Sequence, residues 1–338
     1  MHDTAPSQVA DRLGAVRRTT IGAAAATLLL IAMGGAVRAT DSGLACPDWP
    51  ACYGQWIPPA DLHMWLEHSH RLWAGFVGLL ILWLTVWAAV RHRDVPILWR
   101  LSATALVLVV VQAGLGAAVV LLQLRAGLVS SHLGMSWIIV GCLIVMAVAA
   151  RRTEVRPASH AATVVERRVG GWGVVMAGAV LLQGVLGSQA TGRGAAYVFN
   201  AVPIWLAGDA WTGHVRQVLH VTHRFAGYAT AALVIGVAVA ARRAWRATPG
   251  MASWVVIVPQ IAVVLVSVQV ALGITNVLTR ASVWSAIGHL TVASWLWAAA
   301  VLVAALGSVR PAGVRSTAAV PDSGRSRHQQ PIDEEILT

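Results

Sequence analysis

Long apolar runs alternate along the whole chain with short polar segments rich in arginine. A membrane-crossing helix needs about 20 mostly apolar residues. Eight stretches meet that requirement: 20–37, 72–90, 101–122, 133–150, 170–186, 225–241, 253–278 and 287–306. The pattern predicts an all-α integral membrane protein. The first run shows no convincing cleavage site, so it counts as part of the bundle. The polar stretch after 307, with Pro, Ser and mixed charge, reads as a disordered tail.

Composition agrees. Of 338 residues 57% are hydrophobic and only 12% are charged, whereas about a quarter are charged in soluble domains. The formal net charge is +11 and all 25 basic residues are arginines. They cluster between apolar runs, which favours a membrane topology signal over nucleic-acid binding. Eighteen arginines fall in the N-terminal segment, the tail and the connections after spans 2, 4 and 6, against seven in the alternate connections. By the positive-inside rule both termini are cytoplasmic, and segments 38–71, 123–132, 187–224 and 279–286 face outward.

The two halves repeat. "RATDSG" at 38–43 matches "QATGRG" at 189–194, and "HRLWAG" at 70–75 matches "HRFAG" at 223–227. "QAGLG" at 112–116 matches "QVALG" at 269–273, and "HLGMSW" at 132–137 matches "HLTVASW" at 289–295. Four spans is an even number, so both halves share one orientation and should be related by an axis along the membrane normal. The expected architecture is two pseudo-symmetric parallel four-helix bundles. The expected segments are a cytoplasmic segment 1–19, an N-terminal half 20–150, a cytoplasmic linker 151–169, a C-terminal half 170–306 and the tail 307–338.

Four histidines occupy matching places at the outer ends of even-numbered spans: His70, His132, His223 and His289. Two histidines on neighbouring helices of a bundle can hold a cofactor metal, and a bis-histidine pair suits haem iron. Gly114, Gly116 and Gly273 lie close enough in sequence to admit a flat macrocycle beside the backbone. Zinc fits less well, because each half offers two strong ligands and no clear third. His2, His63, His92, His160, His214 and His328 read as solvated loop or tail residues. Arg71 and Arg224 follow the ligand candidates. They could meet haem propionates or snorkel to the interface.

The halves differ at two points. Glu67 precedes His70 by three residues, and the equivalent residue before His223 is His220. Only the first half therefore has a carboxylate beside its candidate ligand, able to move protons or orient water; pairing with Arg71 is the simpler alternative. Cys46 and Cys52 occur only in the first outward segment, where thiols tend to oxidise. A disulfide is expected there, structural or redox-active. Cys142 lies inside a span and reads as a small core residue.

The stretch "GGAVRATDSGLACPDWPACYGQWIP" with "EHSHRLWAG", His132, and the second-half "AYVFNAVP", "HVTHRFAGY", "LGITNVL" and "GHL" resembles the heme A synthases over roughly residues 18–306. The resemblance implies an eight-helix oxidoreductase of the cell membrane that oxidises the C8 methyl of heme O to a formyl group by successive hydroxylations, giving heme A for terminal oxidases. It implies heme b as cofactor on His223 and His289, heme O as substrate between His70 and His132, and Glu67 as the catalytic carboxylate. It also implies that Cys46 and Cys52 form the family's outer-loop cysteine pair. Membrane lipid, a heme O synthase, terminal-oxidase assembly factors and a second copy of the chain are the candidate partners. The long second-half outward segment, 187–224, lacks cysteines. The competing readings are a diheme b-type electron carrier, which the histidine pairs alone would fit, and a haem transporter or chaperone.

Overall fold

The structure is a computed structural model that describes residues 6–151, 160–199 and 213–309. Eight α-helices follow in chain order: α1 (Pro6–Ala39), α2 (Leu62–Arg91), α3 (Pro96–Leu121), α4 (Ala126–Ala149), α5 (His160–Gly192), α6 (Val215–Ala247), α7 (Trp254–Leu278) and α8 (Val283–Ser308). Among the described residues there is no β-strand, only an isolated bridge between Cys52 and Gln55. All eight helices are long and apolar enough to cross a membrane. The chain is therefore a multi-pass membrane protein, built from an element that satisfies its own backbone in hydrocarbon. Large apolar side chains such as Leu79, Val107, Leu182 and Val264 stand exposed on the helix surfaces, as lipid-facing residues do.

Most helices outrun the apolar windows. Helix α1 begins at Pro6 rather than near 20, α2 at Leu62 rather than 72, and α5 at His160 rather than 170. Hydropathy sees only the part matched to hydrocarbon, while polar turns continue the helix beyond it. For α2 the extension has a local cause: Asp61 caps it, its carboxylate accepting the Met64 N–H at 3.0 Å. Glu67 and His70 are thereby fixed on one helix. Residues 310–338 of the expected disordered tail and residues 200–212 of the outward segment 187–224 lie outside the described residues.

Each run of four consecutive helices closes into a ring. In the first, α1 packs on α2 and α4, and α3 lies between α2 and α4; α5 to α8 repeat this arrangement. The rings join where α4 meets α5 and α8 and α1 meets α8. Two short turns correspond as well. Gln123 and Leu124 before α4 take φ of 60° and 54°, and Arg280 and Ala281 before α8 take 51° and 55°. This left-handed pair is uncommon for non-glycine residues, and here it reverses the chain within four residues in both halves.

The junction between rings is tightly packed. Trp137 of α4 stacks on Trp297 of α8 with centroids 5.8 Å apart. The Trp137 indole N–H donates to Ser294 Oγ at 3.0 Å, and that of Trp297 donates to the Trp137 carbonyl at 2.8 Å. Within the second ring, helices α5 and α8 touch backbone to backbone: a Cβ on Gly173 would sit 2.4 Å from the Ala304 nitrogen. Small residues at such crossings let membrane helices approach closely.

Candidate functional site

Each of the four histidines faces a glycine on the preceding helix. A Cβ added to Gly34 would lie 3.0 Å from His70 Cε1, and one on Gly116 would lie 3.2 Å from His132 Cε1. In the second half the pairs are Gly187 with His223 at 2.8 Å and Gly273 with His289 at 3.3 Å. Gly34 to His70 and Gly187 to His223 both span 36 residues, and the other two pairs both span 16. The glycines thus seat imidazole rings against a helix backbone. Gly116 and Gly273 do so where a macrocycle contact was expected, and Gly114 has open space. Gly34 and Gly187 escaped the sequence reading, although their equal spacing from the histidines was a visible signal.

The ring nitrogens are incompletely satisfied. Nδ1 of His70, of His132 and of His289 is buried without a hydrogen-bond partner. An uncompensated buried polar atom is costly and calls for an explanation. His70 and His132 lie within electrostatic range of each other, as do His223 and His289. Glutamines line these rings. Gln112 Nε2 donates to the His132 carbonyl at 2.9 Å, Gln269 Nε2 lies 3.1 Å from His289 Nε2, and Gln183 Nε2 lies 3.0 Å from His223 Nδ1. Among the described residues no three His, Cys, Asp or Glu side chains gather to hold an ion. What the fold offers is histidine pairs, which suit a metal that brings its equatorial ligands with it. Partnerless ring nitrogens and glycine seats that leave room for the rings both fit haem.

The connection 40–61 folds back on the start of α2, beside His70, and that helix grips it side chain by side chain. Cys46 and Cys52 form the expected disulfide, and both are fully buried. Glu67, only 3% exposed, accepts the Cys46 N–H on Oε2 at 2.8 Å and pairs through Oε1 with Arg71 Nη2 at 2.5 Å. Arg71 also donates to the carbonyls of Asp48 (2.7 Å), Ala51 (2.5 Å) and Cys46 (3.3 Å). Asp48 closes the tip by accepting the N–H groups of Tyr53 and Gly54. The Gly54 bond is the main reason its carboxyl titrates below the usual range. Arg71 is thus engaged with the loop and Glu67, where a haem propionate or the membrane interface was expected.

Two more histidines meet this connection: His63, exposed as expected, and His68, for which no role was expected, whereas His92, expected to be solvated, is buried elsewhere. His63 Nδ1 meets Ser42 Oγ at 2.8 Å. His68, fully buried, meets the Trp56 carbonyl at 2.8 Å through Nε2. His92, at the other end of α2, is buried beside Trp87. The second half has a parallel grip of different chemistry. Arg224 donates to the Phe199 carbonyl at 2.9 Å, and His220 Nδ1 meets the Ala195 carbonyl at 2.6 Å while its ring packs edge-on to Phe199. The structure therefore brings Glu67, His70, Arg71, Cys46 and Cys52 together at one end of the first ring, and His220, His223 and Arg224 at the same end of the second.

Comparison with known proteins bears on this arrangement. The model of the cytochrome oxidase assembly protein family (COX15-CtaA) matches residues 17–301, which contain all four histidines. A heme A synthase of Shewanella oneidensis is 28% identical over 305 residues, covering 78% of this chain and 88% of that protein. A heme A synthase of an Exiguobacterium species is 36% identical over 126 residues, 36% of this chain and 41% of that protein. One of Geobacillus thermodenitrificans is 34% identical over 138 residues, 41% of this chain and 44% of that protein. The resemblance drawn from the 34–75 stretch is borne out: the chain belongs to the cytochrome oxidase assembly protein family, COX15-CtaA.

Proposed function

We propose that this chain is a heme A synthase, an oxidoreductase that converts heme O to heme A. In this reading the C8 methyl of heme O is hydroxylated in successive steps, and loss of water leaves the formyl group. The observation that carries the reading is a matched pair of histidine seats with a carboxylate beside only one of them. His223 and His289 hold heme b in the second half, and His70 and His132 flank the iron of heme O in the first. The glycine seats and the partnerless buried Nδ1 atoms support both assignments. A bound haem b would supply one-electron chemistry.

Glu67 sits one helical turn before His70 on α2. A carboxylate accepts up to about four hydrogen bonds, and this one accepts from the Cys46 N–H and Arg71. It therefore retains capacity to take or orient a proton beside the substrate. Arg71 holds that carboxylate in place through the ion pair and grips the loop beside it. We read Arg224 as the corresponding clamp of the second half, with any propionate contact secondary in both. The two rings then form a pseudo-symmetric pair in which the first is the catalytic half. Both termini face the cytoplasm, and the disulfide lies on the oxidising outer side of the cell membrane.

The assignment is tested by His223→Ala and His289→Ala, which should each abolish the low-spin b-haem spectrum of the purified protein. An unchanged spectrum in both variants overturns the cofactor site.

A further inference from the structure

The register that matches the two halves exposes a second difference beside the histidines. Gln183 stands one turn before Gly187 on α5, and the same position before Gly34 on α1 is Leu30. Gln183 Nε2 reaches His223 twice, approaching Nδ1 at 3.0 Å and the backbone carbonyl at 2.8 Å. The space for this amide comes from Gly227, where an added Cβ would lie 3.0 Å from Gln183 Nε2. The first half has Ala74 at that position. There the His70 ring lies beside the backbone carbonyl of Leu30, as the His223 ring does beside that of Gln183, but no side-chain amide reaches its Nδ1. One half therefore carries a Gln–Gly pair around its first histidine and the other a Leu–Ala pair.

We infer that Gln183, in the room left by Gly227, is the positioning residue that makes the second half a retaining site, and that its absence from the first half lets substrate and product exchange. This rests on the proposed assignment of haem to the two histidine pairs. An iron held on Nε2 of His223 would leave the ring proton on Nδ1. The Oε1 of Gln183 is buried without a partner. A partial turn about the terminal torsion of Gln183, which is broad for an amide, brings that oxygen toward the Nδ1 proton in exchange for the Nε2 bond to the His223 carbonyl. Partners of this kind fix the ring plane and raise ligand basicity. A resident cofactor needs a ligand held in this way. A substrate that enters as heme O and leaves as heme A needs a freer one, and Leu30 provides no side-chain hydrogen bond.

The test is haem transfer from the full-length purified protein to excess apomyoglobin, read beside the reduction potential of the b haem. Gln183→Leu should speed loss of the b haem by about ten- to a hundredfold, the usual effect of removing such a partner, and raise its potential. Gln183→Glu, which keeps an acceptor, should stay near the wild-type rate. The double substitution Leu30→Gln with Ala74→Gly should slow release from the first half. Wild-type release and potential in Gln183→Leu overturn the inference, and should that variant not fold, so does unslowed first-half release in the double variant. Retention of haem by His223→Ala would instead overturn the underlying assignment of the second half.

Discussion

Glu67 and Arg71 form a buried ion pair at 2.5 Å across one turn of α2, and both groups bind the backbone of Cys46. A carboxylate, a guanidinium and a disulfide-closed loop therefore act as one unit on α2, one turn from His70. Removing either charge leaves the other buried and unpaired, a change that typically costs about 3–5 kcal/mol.

Glu67→Ala should leave heme b bound in the second half and stop or stall conversion in the first. Arg71→Ala should loosen the same loop, raising hydrogen exchange at the Cys46 amide. Spectra and exchange measured on the same preparations check both. Loss of the b haem in Glu67→Ala would show that this carboxylate supports the whole fold and has no role confined to the first half.

The eight crossings were legible because twenty apolar residues in a row have few alternative readings, and the histidine quartet because the repeat preserves its spacing. The helix ends were not. The ten polar-rich residues opening α2 are helical because Asp61 caps them and because the loop offers partners to His63, Glu67, His68 and Arg71. Such partners depend on how residues 40–56 fold back, which periodicity does not encode. The Glu67–Arg71 pair was visible as an i,i+4 spacing, whereas the Cys46 N–H as its third member was not.

The glycine seats give a graded prediction. Gly187→Ala places a methyl 2.8 Å from the His223 ring, inside the contact limit, while Gly273→Ala places one 3.3 Å from the His289 ring. The first should displace its histidine and lower haem occupancy of the second half sharply. The second should do so mildly. Haem-to-protein ratios after purification report the difference, and equal ratios in the two variants would contradict it.

The tryptophan junction should govern cohesion of the two rings. Trp137→Ala removes a fully buried indole, its bond to Ser294 and its stack on Trp297. Large-to-small changes of this kind cost about 3–5 kcal/mol. Thermal unfolding in detergent should show the loss, with Trp137→Phe intermediate because it keeps most of the packing and loses the hydrogen bond.

The loop tip has a pH dependence of known sign. The Gly54 N–H, assisted by that of Tyr53, holds the Asp48 carboxyl below its ordinary range. A depressed folded-state pKa contributes stability that is present above the unfolded value and fades as pH falls through the folded one. Protection of the Tyr53 and Gly54 amides should therefore persist at neutral pH and through the ordinary carboxylate range, then fall below it. Asp48→Asn should flatten that profile.

The most direct test of the central claim is extraction and mass analysis of haem from the wild-type protein expressed with a supply of heme O. The account predicts heme b together with heme A or its hydroxylated precursor, and with Glu67→Ala it predicts heme b together with unconverted heme O. Recovery of heme b alone, or of heme O that is bound or moved yet never oxidised by the wild-type chain, would contradict it.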